Sequence, residues 1–491
     1  MPELTDATLS ERTFLGHPRA LATLFFTEMW ERFSFYGMRA ILVLFLTASV
    51  SKGGLGIGVG AATAIYGLYN ALVYVAALPG GWLADGILGH RRAVLYGGIV
   101  ITIGHFAMAF HGLSFVYGGL LAIILGTGLL KPNMSSMVGA LYAPDDPRRD
   151  SGFSIFYMGI NLGALLAPLV VGYLGQEVDW HLGFAAAGVG MTFGLIQYAL
   201  GTRRMGDIGV RPSSRATPRE VRRVVRGVAI GAAVGLGLLA FDAFVTNISA
   251  SLVEKAIGVT ILAIPFVYFT QHFRSGALTA VERSRLRALV ILFVASVVFW
   301  LIYDQSGSIL SVFAEDKVRL EVLGIHFPAS FFQSVNPIFI LALAPVISLI
   351  WVRLGARQPS TPIKFSIGLL LVGVSFLLMM LAGSAAAASG RISPLWLVGV
   401  YFIQTIGELT LSPVGLSATT KLAPAAAVGT TMGVWFLSIS AGDVIGGYVG
   451  DLYEHLPLPL YFGALGVLTI LAGVLMVLVS RHVVRLMAGL R

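Results

Sequence analysis

The chain consists largely of long apolar runs separated by short polar breaks. About 14 of these runs have the length, about 20 residues, that a helix needs to cross the hydrocarbon core of a bilayer. They lie near residues 20–48, 57–85, 91–112, 114–142, 150–175, 181–202, 226–247, 252–272, 284–312, 328–354, 362–386, 393–421, 427–451 and 458–480. Only 12% of the 491 residues are charged and 56% are hydrophobic, whereas soluble domains have about 25% charged residues. The sequence therefore predicts an all-α polytopic membrane protein.

Lys and Arg residues set the expected orientation of these runs. They concentrate in alternate loops, near residues 91–92, 148–149, 203–226, 283–287, 353–364 and 481–485. The positive-inside rule places these loops and both termini in the cytoplasm. It also explains the net charge of +9 without nucleic-acid binding. We therefore expect a multi-pass protein of a bacterial inner membrane, with the lipid bilayer as its surroundings and no nucleic-acid partner.

The first apolar run carries four ionisable side chains. Glu28, Glu31 and Arg32 stand at i, i+3 and i+4 and share one helix face, and Arg39 follows about two turns later near the same face. Charges in hydrocarbon are costly, so these groups should face a bundle interior or a water-filled cavity. They form either a structural ion cluster or a functional site, and intramembrane ionisable residues favour the second interpretation.

Polar residues next to prolines mark three further runs. Lys131, Asn336 and Ser412 each directly precede a proline. Proline removes a backbone hydrogen bond and can kink a helix, which leaves a bendable point at a polar position. The glycine-rich stretch at 126–133 superficially resembles a phosphate loop, but it lacks G-x-x-x-x-G-K-[ST] and follows no strand. We therefore interpret Lys131 as an intramembrane site residue.

Several segments, in the right order along the chain, resemble signatures of the proton-coupled oligopeptide transporters, a branch of the major facilitator superfamily. Residues 27–39 resemble E-x-x-E-R-F-x-Y-Y-G-M-R, with Phe35 where the family commonly has Tyr. Residues 153–163 resemble F-Y-x-x-I-N-x-G, and residues 299–305 resemble F-W-x-x-[YFE]-E-Q, with Asp304 in place of the commoner Glu. The loop at 81–92 resembles the facilitator motif G-x-L-A-D-x-x-G-x-R-R with one extra residue.

The resemblance implies a specific architecture. The facilitator core has two six-helix bundles, which we place at residues 1–202 and 281–491, and this chain would add two helices. Residues 203–280 would hold a basic cytoplasmic linker and that extra pair, as a peripheral insertion without transport chemistry. The loop at 81–92 would act as a conformational latch through Gly81, Asp85, Gly89, Arg91 and Arg92. A monomer is expected.

The resemblance also implies a proton-coupled symporter that imports di- and tripeptides by alternating access, with no cofactor beyond the proton gradient. Proton coupling would involve Glu28, Glu31, Arg32, Lys131 and Asp304. Substrate binding would involve Tyr36, Arg39, Tyr74, Lys131, Asn161, Trp300, Asn336, Glu408, Ser412 and Trp435. The residue types fit a zwitterionic peptide, because Arg39 and Lys131 could hold its carboxylate and Glu408 its amine.

Proton coupling requires an acid whose pKa depends on conformation. Glu28 and Glu31 beside Arg32 provide one such group, and an ion pair between Asp304 and Lys131 would provide a second. We hypothesise that a periplasmic proton neutralises Asp304 or a glutamate of the first run and thereby frees a cation to bind peptide. The empty carrier would return after inward proton release.

Two alternative functions are open at this point. The facilitator fold does not fix the cargo, so a carrier for nitrate, a drug or a peptide-like metabolite is the first; Glu408 and the charged first run favour an amine-bearing peptide instead. A membrane-embedded enzyme is the second, but the sequence has no H-E-x-x-H and no G-x-S-x-G. A purely structural or receptor role leaves the buried charges unexplained. We therefore predict a transporter and not an enzyme.

Overall fold

A computed structural model of the protein describes residues 14–143, 146, 148–212, 217–219, 221–222, 226, 251–276, 278–424 and 427–490. It is built almost entirely of helices. They are α1 (Arg19–Thr47), α2 (Val59–Leu83), α3 (His90–Met108), α4 (Leu113–Gly139), α5 (Arg149–Ala167), α6 (Trp180–Gly201), α7 (Ser251–Arg274), α8 (Ala280–Tyr303), α9 (Ile309–Lys317), α10 (Val335–Leu354), α11 (Thr361–Ser389), α12 (Leu395–Leu422), α13 (Val428–Gly450), α14 (Leu452–His455) and α15 (Leu458–Leu486).

The number of helices agrees with the prediction of a polytopic membrane protein. Within the described residues, 11 helical segments are long and apolar enough to cross a membrane. Two more helices match predicted runs: α1 has 29 residues and carries the buried charges, and α3 has 19 residues and begins with basic side chains. The predicted run at 226–247 lies outside the described residues, apart from residue 226, and its partner at 252–272 is α7.

One predicted helix is interrupted. The sequence predicts a single helix at 284–312, but α8 ends at Tyr303, a 3-10 turn covers Asp304–Gly307, and α9 begins at Ile309. The interruption places Asp304 at the point where the helix changes its geometry. The only strands in the described part of the chain, β1 (Glu321–Val322) and β2 (Ile325–His326), form a short antiparallel hairpin after α9.

The chain divides into two compact units that are discontinuous in sequence. The first unit comprises Met1–Gly37, Ala76–Ala167 and Phe184–Ala216, and the second comprises Met38–Val75, Pro168–Gly183 and Thr217–Arg491. In the first unit, α3 packs along α4, and a core including Leu24, Met134 and Tyr198 is fully buried. In the second, α11 packs against α12 and α15, and α8 packs against α13. The bundle boundaries expected from the sequence remain a prediction.

Glycines allow the closest helix contacts. A Cβ on Gly126 of α4 would lie 2.6 Å from the carbonyl oxygen of Gly97 in α3 and 2.7 Å from a side-chain carbon of Ile101. By contrast, a Cβ on Gly118, earlier in the same helix, would meet nothing within 4 Å. Small residues let helices approach in this way in a membrane, where packing and not the hydrophobic effect drives association.

Replacing Gly126 with Val should therefore destabilise the protein by about 1–3 kcal/mol, because the added methyl groups would push α3 and α4 apart. Gly118→Val is the matched control, since it adds the same atoms to an exposed position of the same helix. Denaturant unfolding in detergent micelles measures both variants. Equal losses of stability would show that helix propensity, and not close packing, dominates.

Candidate transport site

Two carboxylates and one guanidinium lie together inside the first unit. Glu28, Glu31 and Arg32 of α1 are only 4%, 0% and 3% exposed. Arg32 donates from Nη2 to Oε1 of Glu31 at 2.7 Å, and its Nε lies 3.3 Å from Oε1 of Glu28. The shared helix face predicted from their spacing is confirmed. The cluster as it stands carries one more acidic than basic group.

A second cation and two aromatic rings surround this cluster. The Arg32 guanidinium carbon lies 4.9 Å from the ring centre of Phe35 and 5.9 Å from that of Tyr36. Lys131, half-buried on α4, is within electrostatic range of Glu28. A lysine at this place can balance the acidic excess. How well it does so depends on the distance of the Lys131 ammonium group from the two glutamates.

The contact of α5 with α1 depends on two glycines. A Cβ on Gly163 would overlap the carbonyl oxygen of Met29, and a Cβ on Gly159 would lie 3.0 Å from that of Phe25. This confirms that their spacing allows a close helix contact. Asn161 lies between them, 3% exposed, and donates from Nδ2 to the carbonyl oxygen of Tyr157 at 3.0 Å. This hydrogen bond stays within α5.

The segment predicted to form a latch joins α2 to α3. Gly81 lies near the end of α2, and Arg92 is exposed near the start of α3. Asp85 lies on the π-helical turn between them, and its Oδ1 is 3.5 Å from Nε2 of His90, the first residue of α3. Asp85 therefore lies next to the N-terminus of α3.

Gly89 and Arg91 connect this segment to the chain beyond α6. Gly89 has φ +78°, and a Cβ there would lie 2.6 Å from the carbonyl oxygen of Val210, so both its conformation and its surroundings require glycine. Arg91 donates from Nη2 to the carbonyl oxygens of Thr202 at 3.2 Å and Gly206 at 2.7 Å. This guanidinium therefore binds backbone carbonyls at the end of α6.

A largely buried ion pair lies in the second unit. Arg39 donates from Nη2 to Oδ1 of Asp304 at 2.6 Å, and its Nε donates to the hydroxyl of Tyr66. The Arg39 and Asp304 side chains are 14% and 9% exposed. The sequence suggested Lys131 as the partner of Asp304, whereas the structure gives Asp304 the guanidinium of Arg39.

The turn after α8 makes this pair possible. Gly307 ends the 3-10 turn that begins at Asp304, and a Cβ on Gly307 would lie 3.0 Å from Nε of Arg39 and would overlap the hydroxyl of Tyr66. Any larger residue would force the backbone away from both side chains. The absence of a side chain therefore brings the turn, and with it Asp304, against Arg39.

Glu408 lies in an adjoining hydrogen-bond network. Tyr303 donates its hydroxyl hydrogen to Oε2 of Glu408, and Asn336 donates from Nδ2 to the same oxygen at 3.2 Å and to Oγ1 of Thr405 at 3.0 Å. Tyr303 directly precedes Asp304 in the chain, and Arg39 and Asp304 both lie within electrostatic range of Glu408. Arg39, predicted to bind the peptide carboxylate, and Glu408, predicted to bind the peptide amine, therefore both lie near the end of α8.

A small cavity lies on the other side of Asp304. Tyr66, Asp304, Gln305 and Asp443 are among its lining residues. Asp443, on α13, is 4% exposed and lies in electrostatic range of Tyr66. This second buried carboxylate lies on the same cavity as Asp304 and Tyr66.

The remaining predicted residues occupy different surroundings. Tyr74 stacks on Phe436, with ring centres 6.5 Å apart, and Trp300 makes an edge contact with Tyr303 at 5.3 Å. Ser412 is half-buried on α12. Trp435 is 6% exposed and packs between two phenylalanine rings, so its contacts are those of a core residue.

Sequence reasoning missed three contributors to the site, namely Tyr66 as a partner of Arg39, Tyr303 as a donor to Glu408, and Gly307. The helical spacing of Tyr66, Asn70 and Tyr74 was a signal for the first. Nothing in the sequence marked Gly307. Within the described residues, no group of three or more His, Cys, Asp or Glu side chains is placed to hold a metal ion.

These features define a polytopic membrane protein of the major facilitator type with ionisable groups buried in its helices. A family model described as the POT family matches residues 91–467. A di-/tripeptide transporter of Lactococcus lactis subsp. lactis is 43% identical over 492 residues, which cover 98% of this chain and 99% of the relative. An uncharacterised transporter of Bacillus subtilis, YclF, is 46% identical over 98% of this chain and 97% of its own. The protein therefore belongs to the POT family.

Solved structures agree with this assignment. The crystal structure of a peptide transporter POT in complex with sulfate has a TM-score of 0.93 at 47% identity, covering 98% of both chains. A POT family transporter in complex with 5-aminolevulinic acid has a TM-score of 0.91 at 38% identity, covering 96% of this chain and 98% of that one. These similarities confirm the predicted fold class.

The Arg39–Asp304 pair predicts an asymmetric effect of substitution. Asp304→Leu should destabilise the protein by about 3–5 kcal/mol, because it leaves a buried guanidinium without a counter-charge. The double variant Arg39→Leu/Asp304→Leu should recover most of that loss, since it removes both buried charges. Denaturant unfolding in detergent micelles tests this, and a double variant as unstable as the sum of the single variants would contradict it.

Proposed function

We propose that this protein is a proton-coupled symporter that imports di- and tripeptides by alternating access. The observation that carries the proposal is the Arg39–Asp304 ion pair beside the Glu408 network. A peptide has a carboxylate at one end and an amine at the other, and these groups match Arg39 and Glu408 in charge. Binding through the peptide ends would tolerate many side chains between them.

The relatives support this substrate class. Their names include di-/tripeptide transporters and a peptide transporter of Yersinia enterocolitica that is 40% identical. The 5-aminolevulinic acid bound by one solved relative also carries one amine and one carboxylate. Carriers for other cargo, such as nitrate or a drug, gain no comparable support from the buried acidic group Glu408.

The proton acts first in the proposed cycle. A guanidinium stays charged in proteins, whereas a carboxylate can be neutralised. Protonation of Asp304 therefore removes the counter-charge of Arg39, and the carboxylate of an arriving peptide replaces it. Proton and peptide then enter together. When the proton neutralises Asp304, Arg39 keeps an anionic partner only if a peptide carboxylate binds to it. We propose Arg39 as the cation that Asp304 releases.

The cluster in α1 provides a second coupled group. Arg32 contacts both Glu28 and Glu31, so one negative charge remains to be balanced by Lys131 or by a proton. When Lys131 binds a peptide carboxylate, a proton on one of the glutamates restores the balance. Binding of the peptide carboxylate to Lys131 and binding of a proton to a glutamate therefore favour each other. Tyr36 lies beside this cluster, and we propose both Tyr36 and Asn161 as substrate contacts.

The remaining roles complete the proposal. Two bundles, at residues 1–202 and 281–491, rock against each other, with residues 203–280 as a peripheral insertion and the loop at 81–92 as the latch. The protein lies in the inner membrane with both termini in the cytoplasm and works as a monomer. A relative at 27% identity is described as tetrameric, so size measurement in detergent would test this point. The proton gradient drives the cycle without a cofactor or an enzymatic step.

Uptake of labelled dialanine into proteoliposomes tests the function directly. An acidic exterior should drive accumulation above equilibrium, and other dipeptides, but not free alanine, should compete. Equilibration of dialanine at the same rate with and without the pH gradient would indicate an uncoupled carrier. No uptake at all would favour another cargo.

Glu31→Gln should abolish proton-driven accumulation, because it removes an acidic group that Arg32 and a proton share. Counterflow exchange of dialanine needs no net proton movement and should survive in part. Both assays use the same proteoliposomes, so the exchange assay also shows that the variant is folded. Intact uphill transport by this variant would contradict a role of Glu31 in proton coupling.

Glu408→Gln should weaken dialanine binding by about 10–100-fold, since a charged hydrogen bond contributes about 1.5–3 kcal/mol. N-acetyl-dialanine has no ammonium group, so the same substitution should change its affinity little. Competition against labelled substrate measures both ligands. Equal losses for the two peptides would mean that Glu408 does not recognise the amine.

A further inference from the structure

A groove of about 500 Å³ lies between α1 and α6 in the first unit. This size is within the range of about 300–1,000 Å³ typical of ligand sites. None of the residues predicted for transport lines it. Its walls and ends include Trp30, Phe193, Ile196, Gln197, Leu200 and Arg204.

The wall of the groove is apolar and open. Phe193, Ile196 and Leu200 follow helical spacing on one face of α6 and are 53%, 53% and 74% exposed. The segment that includes α6 is apolar enough to span the membrane. Lipid tails are as apolar as leucine side chains, so a hydrocarbon chain is the expected neighbour of this wall.

The floor of the groove is held in place by α1. The rings of Trp30 and Phe193 lie 5.6 Å apart, and a Cβ on Gly194 would lie 2.8 Å from the Cβ of Trp30. Thr27 donates its hydroxyl hydrogen towards Oε1 of Gln197 at 2.9 Å. These contacts fix the distance between the two helices, so the groove is a built feature of their packing.

One end of the groove is basic. Arg204 lines the groove from the 3-10 turn Thr202–Met205 that follows α6, and Arg203 is its exposed neighbour. Arg91 does not line the groove, but it donates to the carbonyl oxygens of Thr202 and Gly206 and so helps to hold this turn. In the part of the chain that the structure describes, no carboxylate lies within ion-pair distance of Arg203 or Arg204.

We propose that this groove binds an anionic phospholipid. An acyl chain lies along Phe193, Ile196 and Leu200, and the headgroup phosphate contacts Arg204 and Arg203. Basic pockets between transmembrane helices on the cytoplasmic side recognise anionic headgroups in this way. The apolar wall and the basic end together select a lipid over a free anion or a neutral lipid.

Lipid titration of the purified protein tests the proposal. Phosphatidylglycerol should bind and raise the thermal stability, and phosphatidylcholine with the same acyl chains should do so less. Arg204→Gln should weaken phosphatidylglycerol binding about five-fold, as expected for one interfacial charge. The matched control is Arg353→Gln, which removes an exposed arginine from the last turn of α10 and should leave binding unchanged.

Two further arms separate the parts of the proposal. Ile196→Trp should fill the groove and lower the affinity for phosphatidylglycerol while leaving the stability of the lipid-free protein unchanged. Inorganic phosphate at matched concentration should not raise the thermal stability. Equal binding of the two lipids, no effect of Arg204→Gln, or an equal effect of phosphate would each overturn the proposal. Peptide uptake plays no part in these readouts, so they are independent of the proposed transport function.

Discussion

The ion pair of Arg39 with Asp304 joins α1 to the turn after α8 inside the second unit. A guanidinium does not lose its charge in a protein, so Arg39 needs an anion wherever it is buried. Asp304 supplies that anion in this structure, and Tyr66 and Gly307 shape the turn that brings it there. A carboxylate can be neutralised by one proton, whereas its partner cannot. This asymmetry is the basis of the anion exchange that we propose for Arg39.

The cluster of Glu28, Glu31 and Arg32 on α1 also pairs a guanidinium with carboxylates, but its charges are not balanced. Arg32 serves two carboxylates, so its surroundings hold an acidic excess, whereas Arg39 and Asp304 are balanced one to one. An acidic excess attracts a cation, either the nearby Lys131 or a proton. In the balanced pair of Arg39 and Asp304, each charge already has one partner. The chain therefore contains two kinds of buried charge arrangement, and each of the two compact units contains one of them.

The sequence predicted the helices and the buried charges well, because each depends on local information. The length of an apolar run is enough to predict a spanning helix, and the spacing of Glu28, Glu31 and Arg32 is enough to place them on one helix face. The partner of Asp304 could not be found in this way, since Arg39 lies 265 positions away. The break after Tyr303 was also missed, because residues 304–308 interrupt an otherwise apolar run without a proline. The partner of Asp304 and the packing of the turn after Tyr303 both involve residues far apart in the sequence.

The two departures from the family signatures affect side-chain shape and leave the charges intact. Phe35 lacks the commoner hydroxyl, but its ring still lies 4.9 Å from the Arg32 guanidinium, so the aromatic contact with the cation is kept. Asp304 is one methylene shorter than Glu, yet it reaches Arg39 at 2.6 Å, because Gly307 lets the turn approach. Coupling depends on which groups carry charge and which of them can be neutralised. Both departures preserve that pattern, so they are compatible with proton-coupled transport.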